Sequence, residues 1–257
     1  MTNVLVCIKR VPDLGGEIQL TADSMAVDDS GLGHTVSPHE EAAVELAISI
    51  ARDTGGEATV LTLGSDDAVE QLRNALALGC TAALRIDADA AAFGPADVAR
   101  AIAETVREQE AAGTTYELVL VGSDASDTGD FQVGIRLAYL LDRPVVAGIS
   151  TISVQADTVV ARGSAPDGGA EVFELPLPAV VTVMEGGVEP RYPSIPGRMK
   201  AKKVPVQEGT PSFEPVGNGR LGLRLPEPAP SQVTILGNGA DAAPAVVDLM
   251  EKLGVTR

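Results

Sequence analysis

The chain reads as an α/β protein: a Rossmann-like parallel sheet with helices on both faces, followed by a β-rich extension and a long C-terminal arm. Three observations predict it. Continuous apolar runs at residues 4–8, 58–63 and 118–121 have the pattern of strands covered on both faces, where alternation of polar and apolar positions is lost. Helical patterns at 40–52, 68–78, 96–110 and 131–141 alternate with them, which is the order of a parallel sheet joined by crossover helices. After Pro144 short β runs follow one another at 145–149, 152–154, 158–161 and 171–173, with Asp167-Gly168-Gly169 as the turn before the last, so hairpins are expected there.

Each element has a local justification. The first helix starts where Ser37 can cap it, Pro38 takes the first helical position and Glu40 completes a Ser-x-x-Glu box; Gly55-Gly56 closes it. Glu40 and Glu41 are explained by this place at the positive helix end, not as an acid/base pair. The second helix opens after Ser65 and stops at Gly79, a short strand follows at 83–86, and Pro95 marks the third helix. The run 179–183 is a further buried strand, broken by Gly186-Gly187. Beyond it, prolines 190, 193 and 196 stiffen an irregular segment that carries Arg191, Arg198, Lys200, Lys202 and Lys203. Positive charge gathered on an acidic chain points to partner recognition. The expected division is therefore a nucleotide-binding domain over 1–203, with its docking loop at about 183–203, and an arm over 204–257. Prolines at 205, 211, 215, 226, 228 and 230 deny that arm a core, so it should lie on another chain before the run 233–236 and a last helix at 243–253.

Composition narrows the function. Among 257 residues, 36 are acidic and 19 basic, a net charge of -17, and only 5 of the basic residues are lysine. Aromatics are 3% and tryptophan is absent, which disfavours nucleic-acid binding through base stacking as firmly as the charge does through phosphates. Such a carboxylate shell suits high salt, and a halophilic cytoplasm is the expected setting. No signal peptide and no membrane-spanning run is read, so no membrane insertion is expected. Cys7 and Cys80 lie in apolar runs without metal spacing and are expected to be buried thiols.

The candidate site is the loop Gly122-Ser123-Asp124-Ala125-Ser126-Asp127-Thr128-Gly129-Asp130-Phe131-Gln132-Val133, which leaves a central strand and enters a helix. Small residues let backbone approach a ligand, and first-turn amides hold a phosphate without lysine. A plain strand-to-helix turn has the same composition, so position decides: ligands of parallel sheets sit at the carboxyl ends of strands, where Cys7, Leu63 and this loop meet. Gly217-Asn218-Gly219-Arg220-Leu221-Gly222 matches the dinucleotide fingerprint letter by letter but follows no predicted strand and opens no helix, so it is not expected to bind a dinucleotide. His34 and His39, the two histidines, have no metal spacing or nucleophile motif around them.

Together these residues resemble the beta subunit of the electron transfer flavoprotein family over most of the chain. The resemblance is carried by the opening 4–13 with Lys9-Arg10-Val11, by Ser37-Pro38 with Glu41-Ala42-Ala43-Val44-Glu45, by Ala75-Leu76-Ala77-Leu78-Gly79, and above all by Asp167-Gly168-Gly169-Ala170-Glu171, Leu177-Pro178-Ala179 and Glu189-Pro190-Arg191-Tyr192 through Met199-Lys200-Ala201-Lys202-Lys203. It implies a carrier subunit, not an enzyme, paired with an alpha subunit that carries most contacts to a redox-active FAD. The pair takes electrons from dehydrogenases, which dock on the loop 183–192, and passes them to a quinone reductase. It also implies a nucleotide in this chain, held by Cys7, Ser37, Pro38, His39, Glu40, Leu63 and the loop 122–133: AMP, or a second FAD as in electron-bifurcating members. In the docking loop a family leucine anchor falls at Gly187, which leaves Val188 or Met184 to take its role. The rival from another class is a stand-alone nucleotide-binding stress regulator, which would need neither the basic loop nor the arm.

Overall fold

The computed structural model describes residues 1–16, 18–227 and 233–255. In chain order its elements are β1 (Val4–Ile8), β2 (Val11–Pro12), β3 (His34–Thr35), α1 (Pro38–Thr54), β4 (Ala58–Leu63), α2 (Val69–Leu78), β5 (Ala82–Ile86), α3 (Pro95–Ala111), β6 (Leu118–Gly122), α4 (Val133–Leu141), β7 (Val145–Gln155), β8 (Thr158–Ser164), β9 (Ala170–Pro176), β10 (Ala179–Val183), α5 (Ile195–Ala201), β11 (Val206–Gly209) and α6 (Ala243–Lys252). Nine strands make one sheet in the order β11-β5-β4-β1-β6-β10-β7-β8-β9, parallel from β11 to β7 and antiparallel through β8 and β9. The expected parallel sheet with a β-rich extension is thus one continuous surface.

Strand β1 shows why the apolar runs are continuous. Its side chains alternate across the sheet: Val4, Val6 and Ile8 enter the core built with α1 and α2, while Leu5 and Cys7 enter the core built with α3 and α4. Both faces being covered, every position must be apolar, and each buried aliphatic contributes about 1.5–3 kcal/mol. Cys7 and Cys80 are buried and free.

The structure corrects the sequence reading at several places. The runs 145–149 and 152–154 are one strand, β7, whose first half pairs in parallel with β10 and whose second half pairs antiparallel with β8; the register shift between Ile149 and Thr151 is where the pattern seemed to break. Helix α4 starts at Val133 and not at 131, because Phe131 takes a left-handed φ of 51° and Gln132 becomes the cap. The segment after β10 is not irregular throughout: Ser194 Oγ accepts from the Gly197 amide at 3.1 Å and starts α5.

The chain beyond Lys203 does not leave the domain at once. Val206–Gly209 adds the edge strand β11 to β5. The buried Arg85 of β5 holds Glu208 at 3.1 Å along with Asp66 at 2.8 Å and Asp87 at 2.7 Å. Phe213 packs against Phe93 with ring centroids 6.1 Å apart and lies under the Arg100 guanidinium at 3.8 Å. Accordingly the first compact unit runs Met1–Leu223 and a second Arg224–Arg257. In the second unit α6 has no buried residue, and 233–236 lie in neither strand nor helix. Residues 228–232 and 256–257 of the expected arm lie outside the described residues. No helix among the described residues is long and apolar enough to cross a membrane.

Candidate functional site

A cavity of about 460 Å³ opens at the carboxyl ends of β1, β4 and β6, within the roughly 300–1,000 Å³ usual for ligand sites. Its position follows from topology. The chain builds outward from β1 through β4 to β5, then returns through α3 to place β6 on the other side of β1, and the loops part at that reversal. Cys7 and Ile8 of β1, Leu61 and Leu63 of β4, and Val121 and Gly122 of β6 form the apolar floor. From the expected loop, Ser123, Asp124, Ala125, Asp127, Thr128, Asp130, Phe131, Gln132 and Val133 line it.

Electrostatics are set by a few buried and partly buried contacts. Lys9 Nζ, just past β1, lies 2.7 Å from both carboxylate oxygens of Asp127. Beside this pair Glu40 is 6% exposed. Its Oε2 accepts from the Ser37 amide at 3.2 Å, the expected contact of the helix-start box. Burial pushes the Glu40 carboxyl up to about 8; bonds from the Ser37 and Lys9 backbones and the Lys9 charge oppose that rise, and Asp127 adds to it. Burial, with Glu40 beside it, raises the Cys7 thiol far above its ordinary range, so it is no nucleophile. Two buried polar atoms of lining residues, Arg10 Nε and Asp124 Oδ1, have no hydrogen-bond partner among the described residues. One unmet donor and one unmet acceptor around a single cavity fit a ligand that carries both kinds of group, as a nucleotide does.

Of the expected site residues, Cys7, Glu40, Leu63 and most of the loop are brought together. Ser37 and Ser126 stand behind the wall: the Ser37 hydroxyl accepts from the Ser126 amide at 3.0 Å and so ties the start of α1 to the loop. Pro38 lines a separate groove with Glu41 and Val188, while His39 and Gly129 line neither space. At Gly129 a Cβ would meet nothing within 4 Å; glycine is required there by its φ of 66°, not by crowding. His34 lines the cavity, with Nε2 2.9 Å from Asp29 Oδ2.

Sequence reasoning missed Lys9, Arg10, Asn218 and Arg220 as wall residues. Lys9 and Arg10 carried a usable signal, since they follow directly on a parallel strand. Asn218 and Arg220 belong to the glycine-rich stretch expected to be inert. It is neither strand nor helix, yet it reaches the cavity because buried Asp97 at the start of α3 accepts from the Val216 and Gly217 amides at 3.1 and 2.7 Å.

The basic segment after β10 is built differently. Arg191 turns back to α1, its Nε donating to Glu45 Oε2 at 2.7 Å and its Nη2 to Glu45 Oε1. Val188 packs against the core and Met184 is half-buried. A Cβ on Gly187 would lie 1.9 Å from the Ser150 carbonyl oxygen, so no leucine fits there. The side chains presented outward are Tyr192, Ile195 and Met199, at 95%, 79% and 63% exposure.

With the cavity at the switch point and this outward segment beside it, comparison with known proteins gives the class. The electron transfer flavoprotein domain model matches residues 24–213. Electron transfer flavoprotein subunit beta of Bacillus subtilis is 34% identical over 208 residues, 80% of this chain and 78% of the relative. The subunit of the same name from Syntrophomonas wolfei is 36% identical over 206 residues, 79% and 77% of the two chains, and that of Homo sapiens 33% over 208 residues, 79% of each. The chain belongs to the electron transfer flavoprotein family, on its beta-subunit side.

Proposed function

We propose that this chain is the beta subunit of a heterodimeric electron carrier. It pairs with an alpha subunit that holds most of a redox-active FAD, receives electrons from dehydrogenases docked on the segment after β10, and serves a quinone reductase. The FAD supplies the electron chemistry; this chain supplies a binding partner, a docking surface and a second nucleotide site. The setting is a salt-rich cytoplasm, in keeping with the net charge of -17.

The observation that carries the nucleotide reading is the cavity with unmet Arg10 Nε and Asp124 Oδ1 on its wall. AMP is the occupant of this proposal. The carboxylates of Asp124 and Asp130 suit ribose hydroxyls or an exocyclic amine as acceptors, the floor from Cys7, Leu61 and Leu63 suits a base, and the first-turn amides of α4 suit a phosphate. Glu40, protonated below about 8, adds a donor without adding charge. The test is the nucleotide released from the native complex: one AMP and one FAD per heterodimer is expected. Two FAD and no AMP would replace this reading with the electron-bifurcating form, and no nucleotide in this chain would overturn it.

A further inference from the structure

We propose that the hairpin tip 19–28 and the glycine-rich stretch 216–223 form a clasp over the cavity, so that a ligand enters and leaves only when the two segments part. The clasp gates exchange and does not choose the ligand; it rests on the nucleotide reading above for the probe that reports it.

Both segments reach the cavity from outside the sheet. Ala26 and Val27 line it from the tip, and Asn218, Arg220 and Leu223 line it from the stretch. They also hold one another: the Leu223 amide donates to the Ser24 carbonyl at 2.7 Å, and Arg220 Nη1 donates to the Met25 carbonyl at 3.1 Å. Among the described residues these are the hydrogen bonds that join the tip to the chain beyond its own hairpin. Its others are internal, such as the Thr21 amide to the Ala26 carbonyl at 3.0 Å and the Asp28 amide to the Gln19 carbonyl at 2.9 Å. Neither segment is locked by a core. No residue of 19–28 or 216–223 belongs to the two buried clusters, and Val216 and Leu221 are almost fully exposed. Surface segments held by a few hydrogen bonds open far more readily than strands buried on both faces, so the clasp is the part of the wall able to move while the floor from β1, β4 and β6 stays closed.

The stretch has a fixed root and a free end. Buried Asp97 accepts from the Val216 and Gly217 amides, and a Cβ on Gly94 would lie 2.3 Å from the Gly217 carbonyl oxygen, so the backbone there rests directly on the start of α3. Gly217 and Gly219 then take φ of 83° and 69°, a left-handed path that glycine adopts readily. The hinge therefore lies at 217–219, between the root on Asp97 and the two bonds to the hairpin tip. The letters that match a dinucleotide fingerprint serve here as the turn of a strap.

The test uses the full chain with its partner subunit, loaded with labelled AMP and chased with unlabelled AMP. Ser24→Cys together with Leu223→Cys, placed where the backbone bond sets the two segments side by side, should form a disulfide under mild oxidant and slow AMP release by about ten-fold or more, with the rate restored by reductant. Cys7 and Cys80 are buried and do not compete for the new thiols. Arg220→Met should speed release and uptake together, each by roughly ten-fold, as loss of one bond from a charged donor implies. Faster release with unchanged uptake would make Arg220 a ligand contact and overturn the gate. Release indifferent to the crosslink, or thiols that never join in a folded chain, would overturn it too, and all three results leave the nucleotide reading intact. If no form binds AMP, the nucleotide reading falls and hydrogen exchange at 19–28 judges the clasp: it should quicken in Arg220→Met and slow in the oxidised pair, and equal exchange in every form would overturn the proposal.

Discussion

The loops that leave β6 and β10 start side by side, for the two strands pair in parallel with Val183 opposite Gly122. They then part. The loop after β6 turns inward over the cavity: its Ser126 amide is bound by Ser37, its Asp127 by Lys9, and its acids face a space that a ligand can fill. The loop after β10 turns outward. It is pinned at its base by Val188 against the core and by Arg191 on Glu45, then presents Tyr192 to solvent and, on a short basic helix, Ile195 and Met199. Equivalent ends of neighbouring strands thus lead to a cavity wall in one case and to an exposed apolar and basic surface in the other.

The largest effect should separate the inward loop from the rest. Glu40 stands behind it, and burial raises the carboxyl from 4.5 to about 8. The unfolded chain releases this proton near 4.5 and the folded chain keeps it to about 8, so the native state binds more protons between those values. The contribution to stability is full below the lower value and is lost as pH rises through the upper one. It amounts to something on the order of 5 kcal/mol at about 1.4 kcal/mol per pH unit, with the opposition of Lys9 already contained in the value of about 8. Glu40→Gln should flatten the stability-against-pH curve across that window in chemical denaturation; a slope equal to that of the unmodified chain would show that Glu40 is ionised in the fold.

The next effect should fall on the outward loop alone. Gly187→Leu, the residue expected from the family, drives a Cβ against the Ser150 carbonyl oxygen and should cost about 1–3 kcal/mol by pushing the loop off β7. Bound nucleotide should stay at the unmodified level. A parallel fall in nucleotide content would mean that the two loops act as one body.

The smallest effect concerns the outward loop's tether. Arg191→Ala removes a partly exposed bidentate pair with Glu45 and should cost about 0.5–1 kcal/mol in dilute buffer, less in strong salt. Denaturation curves at two salt levels check this. A loss unaffected by salt would assign the tether to packing instead of charge.

Much of this molecule was legible in one dimension. The runs at β1, β4, β6 and β10 announce two-sided burial by having no charged position and, apart from the buried Thr59, Thr62 and Thr182, almost no polar one, and Ser37-Pro38-His39-Glu40 announces the start of α1 by local chemistry. The placement of Cys7, Leu63 and the 122–133 loop around one space follows from strand direction alone, since parallel strands all deliver their loops to the same end.

What the sequence by itself determined, then, is every feature whose cause lies within about one turn or one strand of its own residues: the α/β alternation, the helix starts, the end of the sheet where the cavity opens. Tertiary structure alone decided the rest. Val206–Gly209 becomes a strand because β5 and the buried Arg85 offer it an edge, Val188 turns inward because the core has room for it, and Arg220 reaches the cavity because Asp97, more than a hundred positions earlier, holds the backbone that carries it. Each depends on a partner distant in sequence, whose identity no local pattern encodes until the sheet has closed.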